Sequence, residues 1–81
     1  MKVTVRLFAR ARDLAGTDAI AVELPEGATV GDLRQQLADR CPNLSSLLGR
    51  SALAVNDEFA DDTLGLPLRA DIALLPPVSG G

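Results

Sequence analysis

The sequence predicts an α+β fold, a sheet covered on one face by one main helix. Three observations predict it. Apolar residues alternate with polar ones in two early segments, Val3 to Ala9 and Ile20 to Leu24. One stretch, Val30 to Cys41, carries a helical period behind an N-cap signal. A last alternating segment, Ile72 to Leu75, is closed by two prolines. Runs of strands around a single helix are satisfied by a helix packed on one sheet face.

In the first segment Val3, Val5, Leu7 and Ala9 alternate with Lys2, Thr4, Arg6 and Phe8, the period of a half-buried strand. Residues 10–17 break the pattern and end at Gly16, as a helical turn or loop. Ile20, Val22 and Leu24 form a second strand, antiparallel to the first because no long helix separates the two. Pro25 and Gly27 suit the second and fourth positions of a type I turn. Thr29 reads as an N-cap with Asp32 at the third helical position, a capping box. Val30, Leu33, Leu37 and Cys41 then share one helix face, and Pro42 stops the helix. Leu44, Leu47 and Leu48 indicate a short second helix ended by Gly49. Leu53 and Val55 belong to a third strand turned at Asn56-Asp57, and residues 58–70 read as irregular, with Pro67 against a central strand. Ile72 and Leu74 mark the last strand. Pro76-Pro77 ends it, since proline cannot continue a ladder. Val78-Ser79-Gly80-Gly81 carries no pattern and is expected to be a flexible tail.

Composition sets the bounds. A chain of 81 residues is one domain, and 47% hydrophobic with 23% charged residues is the balance of a folded protein. With two Phe, no Trp and no Tyr, the core falls to Leu, Val, Ile and Ala. The net charge of -3 argues against a nucleic-acid binder. The charge is uneven: Lys2, Arg6, Arg10 and Arg12 precede the first acid, while Asp57, Glu58, Asp61 and Asp62 crowd together. Such faces are either solvated or docking surfaces. One cysteine excludes an internal disulfide. The N-terminus lacks the apolar core of a signal peptide, and no apolar run approaches the ~20 residues that span a bilayer, so a cytoplasmic protein without membrane contact is expected.

The inventory for chemistry is bare. There is no histidine, no cysteine cluster and no glycine-rich phosphate loop, which argues against a self-sufficient enzyme. The 57–62 acids lack the glycine and ligand order of a calcium loop, and no metal site is expected. Cys41 is either a thiol nucleophile or, being in phase with Leu33 and Leu37, a small core residue. Phe8 is out of phase with Val5 and Leu7, and Leu75 with Ile72 and Leu74. If the first and last strands are neighbours, these two share the sheet face away from the helix. There they form a partner surface or a second small core under residues 58–70. The tail is the sharpest feature. From Pro76 to Gly81 it reaches up to ~20 Å, and Gly80-Gly81, without Cβ atoms, can thread a narrow channel.

Phe8-Ala9-Arg10-Ala11-Arg12-Asp13-Leu14-Ala15-Gly16, Leu53-Ala54-Val55-Asn56 and Leu74-Leu75-Pro76-Pro77-Val78-Ser79-Gly80-Gly81 together resemble the molybdopterin synthase small subunit, the sulfur carrier of molybdenum cofactor biosynthesis. The family often has aromatics where Leu74 and Leu75 stand. The resemblance implies a β-grasp (ubiquitin-like) fold, a mixed sheet on one main helix, as a single domain with tail 76–81. It implies no bound cofactor. Gly81 would be adenylated by an ATP-dependent activating enzyme, converted to a thiocarboxylate, and would donate sulfur to a cyclic pyranopterin precursor inside the large synthase subunit. Gly80, Ser79, Val78, Pro77, Pro76, Leu75 and Phe8 would serve the tail and its partners. Two alternatives stand beside it: a carrier for thiamine, cysteine or tRNA thiolation, and a ubiquitin-like interaction module without tail chemistry.

Overall fold

Val3, Val5 and Leu7 enter the core from β1 (Lys2–Leu7), whose alternate residues are exposed, as a half-buried strand requires. The structure, a computed structural model, describes residues 1–77; the tail residues Val78, Ser79, Gly80 and Gly81 lie outside the described residues. The strand ends at Leu7, short of the sequence expectation. Phe8 is the N-cap of α1 (Ala9–Ala15), its carbonyl accepting from the amides of Ala11 (3.1 Å) and Arg12 (3.4 Å). The alternation simply runs on into the first helical turn. Gly16 closes α1 with φ of 72°, the left-handed conformation that glycine tolerates best.

β2 (Ala19–Glu23) pairs antiparallel with β1, as expected. The following turn is one residue out of the expected register. The Ala28 amide donates to the Pro25 carbonyl (3.1 Å), so Gly27 occupies the third position with φ of 86°, the mark of a type II turn. Helix α2 (Val30–Arg40) opens on the expected capping box. The Asp32 amide donates to the Thr29 hydroxyl (3.2 Å) and the Thr29 amide to the Asp32 carboxylate (2.9 Å). Val30, Leu33 and Leu37 are fully buried, and Cys41 is its C-cap. A 3₁₀ turn (Pro42–Leu44) leads into α3 (Ser45–Leu48). Gly49 follows with φ of -67°, so the stop there makes no use of glycine's freedom.

β3 (Ala52–Val55) is the expected third strand, and β4 (Glu58–Ala60), at the start of the segment expected to be irregular, pairs with it as a hairpin. Asn56 (φ 52°) and Asp57 (φ 69°) both adopt the left-handed region, the signature of a type I′ turn, whose twist matches that of the strands. Asn56 also fixes the last strand, β5 (Ile72–Leu75), by accepting from the Asp71 amide through its side chain (2.9 Å) and donating to the Asp71 carbonyl (2.8 Å).

The sheet order is β2-β1-β5-β3-β4. β5 runs parallel to β1 and antiparallel to β3, so the sheet is mixed, and the last strand lies at its centre. Leu7, Leu33, Leu37, Leu44, Leu53, Ile72 and Leu74 are all but inaccessible between sheet and helices. Each contributes on the order of 1.5–3 kcal/mol of burial.

The segment after β4 is tied to α2. The Val30 amide donates to Leu64 (2.9 Å), the Gly31 amide to Asp62 (3.0 Å) and the Leu66 amide to Ala28 (2.8 Å). Arg34 gathers the same region. It donates to the Asp62 carboxylate (3.1 and 3.2 Å), to the Ser51 carbonyl (2.9 Å) and to the Leu48 carbonyl. Asp61 accepts from the Thr63 hydroxyl (2.6 Å) and amide (3.0 Å), and these bonds hold its carboxyl below the usual range. The depressed value means that its contribution is present at neutral pH and lost as pH falls through it.

Thr29→Ala removes one half of the capping box while leaving the buried face of α2 intact. It is expected to lower stability by about 1 kcal/mol in urea denaturation. An unchanged midpoint would show that the box does not hold the helix start.

Candidate functional site

The site is built by register. β1 and β5 pair as Val5 with Ile72, Arg6 with Ala73 and Leu7 with Leu74. One step further, Phe8, just beyond the end of β1, shares a groove with Leu75, the last residue of β5. On the other flank Leu75 pairs with Ala52 of β3, and Ala73 with Ala54. Ala54 in turn faces Phe59 of β4. The helix-free face of the sheet thus has a low floor of alanines walled by two phenylalanines. Phe8 is 37% and Phe59 77% exposed. Together with Arg50, Leu75, Pro76 and Pro77 they line an apolar groove of about 450 Å³.

The structure therefore brings Phe8 and Leu75 together, as the sequence led one to expect, and adds Pro76 and Pro77 to the same groove. It does not place a second core under residues 58–70. That segment turns to α2 instead, and its apolar anchor Leu66 joins the main core while Leu64 and Leu68 stay exposed. Phe59 is the residue that sequence reasoning missed. Its signal was the Asn56-Asp57 turn, which, read as type I′, puts Phe59 opposite Ala54 on the open face.

Electrostatics frame the groove without filling it. Arg6 forms a two-point ion pair with Asp71 (3.1 and 3.0 Å), and its guanidinium lies 5.7 Å from the centre of the Phe8 ring, within cation–π range. Among the described residues Arg50 is the one charged residue lining the groove. Pro76 and Pro77 stand where the pairing with β1 and β3 would continue. Having no N–H, neither can donate to a flanking strand, so the ladder ends at Leu75.

The other candidates lie elsewhere. Cys41 is half-buried, packs against the core at the end of α2 and does not line the groove. Asp61 is bonded to Thr63 and Asp62 to Arg34, and among the described residues no three His, Cys, Asp or Glu side chains come together to hold a metal ion. Among them, too, no helix is long and apolar enough to cross a membrane.

Comparison with known proteins places this geometry. The family model described as the ThiS family matches residues 5–81. The molybdopterin synthase sulfur carrier subunit of Arabidopsis thaliana is 33% identical over 81 residues, covering 100% of this chain and 84% of its own. That of Dictyostelium discoideum is 38% identical over 80 residues, covering 95% of this chain and 93% of its own. Among solved structures, SAMP1 from Haloferax volcanii superposes with a TM-score of 0.88 at 30% identity, over 100% of both chains. A protein–protein complex of subunits 1 and 2 of the molybdopterin-converting factor from Helicobacter pylori contains a chain with a TM-score of 0.71 at 30% identity, again over 100% of both. With a β-grasp sheet of this order and a family match over nearly its whole length, the chain belongs to the ThiS family.

Proposed function

We propose that the chain is the sulfur-carrier subunit of a molybdopterin synthase and that its C-terminal carboxylate is the group that carries sulfur. The observation that carries this reading is the placement of β5. The last strand is the central one, and it delivers Pro76-Pro77 to the rim of an apolar groove, four residues before Gly81. A rigid base, a docking face and a short glycine-ended extension are what a carrier needs to present one acyl group to several enzymes in turn. The bare chemical inventory fits, since the side chains that act on the pyranopterin would belong to the large subunit. The Helicobacter pylori complex supports a partner of that kind.

The chemistry follows from the carboxylate. It is a poor acyl donor until activated. The Gly81 carboxylate attacks the α-phosphorus of ATP bound by an activating enzyme, and pyrophosphate leaves. A sulfur donor then displaces AMP from the carbonyl carbon, giving the thiocarboxylate. In the large subunit that sulfur passes to the pyranopterin precursor. Phe8, Leu75, Pro76 and Pro77, joined by Phe59, dock the partner, while Val78, Ser79, Gly80 and Gly81 enter its channel.

A second reading is favoured by the likeness to SAMP1, which is named as a small archaeal modifier protein. Here the activated end would be joined to an amine of another protein. The two differ in product: a thiocarboxylate in one, an isopeptide bond in the other.

Deletion of Gly81 or extension by one residue displaces the reactive carbon by ~3.4 Å, and a misplacement of ~1 Å can cost about 100-fold in rate. Molybdopterin formation with the large subunit should be lost in both variants while thermal melts match wild type; full activity in either, without trimming back to Gly81, contradicts the reading. Phe8→Asp should leave the fold intact and weaken large-subunit binding by about 2 kcal/mol or more, as truncating an aromatic anchor does. Unchanged affinity by titration calorimetry would remove Phe8 from the interface. Cys41→Ala should leave sulfur transfer near wild type and lower stability by about 1 kcal/mol. A well-folded variant without transfer would instead make Cys41 the sulfur site.

A further inference from the structure

We infer that the surface of this chain is arranged so that it cannot capture its own activated end: arginine supplies the positive charge around the exit of the tail, and the single lysine lies at the opposite end of the sheet. The inference rests on the reading of Gly81 as an activated acyl group. Such a group has a side reaction. A neutral amine attacks the Gly81 carbonyl carbon, a C–N bond forms, the bond to the leaving group breaks with its electron pair, and the amine gives a proton to water. The product is an isopeptide, and the carrier is lost.

Of the 8 basic side chains, Lys2 is the lone lysine and the rest are arginine. Lys2 opens β1, and the tail leaves beyond Leu75, beside the other end of that strand. Five strand steps of ~3.3 Å put Lys2 about 17 Å from the Leu7 end. The remaining amine, at Met1, also lies at the far end, where it donates to the Leu24 carbonyl and stands 3.7 Å from the Glu23 carboxylate.

The cations at the exit are of the other kind. Arg50 lines the groove with Pro76 and Pro77. Arg6 and Arg12 line the adjoining hollow with Phe8, and Arg10 follows Ala9 at the start of α1. All four are exposed. From Pro77 the four remaining residues reach at most ~14 Å. An amine within that radius would meet the carbonyl at an effective concentration of order mM, far above that of amines on other molecules in dilute solution. A guanidinium holds its proton far more tightly than a lysine amine, so at the same pH far less of it is present in the neutral, nucleophilic form. Arginine therefore keeps positive charge at the exit while offering no amine to accept the acyl group.

The test uses the full chain prepared as a Gly81 α-thioester, so that acyl activation does not depend on an enzyme. Wild type, Arg50→Lys, Arg10→Lys and the far-end control Glu26→Lys are followed by intact mass at pH 8. Self-linked chain is one water lighter than the hydrolysed acid. Arg50→Lys or Arg10→Lys should form it at least about tenfold faster than wild type, with the isopeptide mapping to the substituted position, and Glu26→Lys should match wild type. Equal rates in all four, or equal acceleration by Glu26→Lys, would overturn the inference. In parallel, wild-type chain is incubated with activating enzyme and ATP. Failure to form an adenylate there would overturn the reading of the tail, and the inference with it, whatever the thioesters do.

Discussion

Everything at the working end depends on the parallel pairing of β1 with β5. Three register pairs, Val5–Ile72, Arg6–Ala73 and Leu7–Leu74, place the last strand of the chain between the first and third strands. A C-terminal strand at an edge would carry its tail on the least protected part of a sheet. A central one is bonded on both sides and buried on the helix face through Ile72 and Leu74, which have no accessible surface. The direction in which the chain leaves the domain is therefore fixed by the most constrained strand it has. Because the pairing is parallel, Phe8 arrives at the same end as Leu75. Phe8 and the base of the tail are thus brought together by one alignment.

The polar interactions serve that alignment. Asn56 holds Asp71 through both side chain and backbone, setting where β5 begins. Arg34 ties α2 to the Leu48 and Ser51 carbonyls, which precede β3, and to Asp62 beyond β4. These bonds fix the start of the strand that flanks β5 on its second side. Hydrogen bonds to a charged group contribute about 1.5–3 kcal/mol each when well formed, but Arg34 keeps partial access to water and its share with Asp62 is screened accordingly. On the open face the logic is steric. Ala52, Ala54 and Ala73 leave a shallow floor, so Phe8 and Phe59 project beyond it and remain exposed.

Much of this was legible in the residues because local signals agreed with the global fold. Thr29 and Asp32 gave the helix start, Pro42 its end, and the period-two stretches gave β1, β2 and β5. The mixed sheet came from the resemblance, and the pairing of β1 with β5 stood only as a condition in the reading of Phe8 and Leu75, since periodicity does not fix strand order. What was misread has physical causes. Apolar and polar residues alternate from Val3 to Ala9 across a strand-to-helix junction, but Ala9 opens α1 and is exposed, so the alternation in burial stops at Leu7. The hairpin around Asn56-Asp57 was hidden because its type I′ turn lacks the glycine that usually marks one, and with it went Phe59. Of the groove, the neighbourhood of Phe8 and Leu75 was legible and that of Phe8 with Pro76 and Pro77 was not, while Val78 to Gly81 lie outside the described residues.

The central claim is that sulfur is carried on the terminal carboxylate and not on a side chain. The most direct measurement is the intact mass of the wild-type chain after incubation with an activating enzyme, ATP and a sulfur source, followed by fragmentation to locate the change. The account predicts a gain equal to exchange of one oxygen for one sulfur, placed on Gly81. A mass change localised to Cys41, or an unmodified chain in a mixture that thiolates another family member, would contradict it.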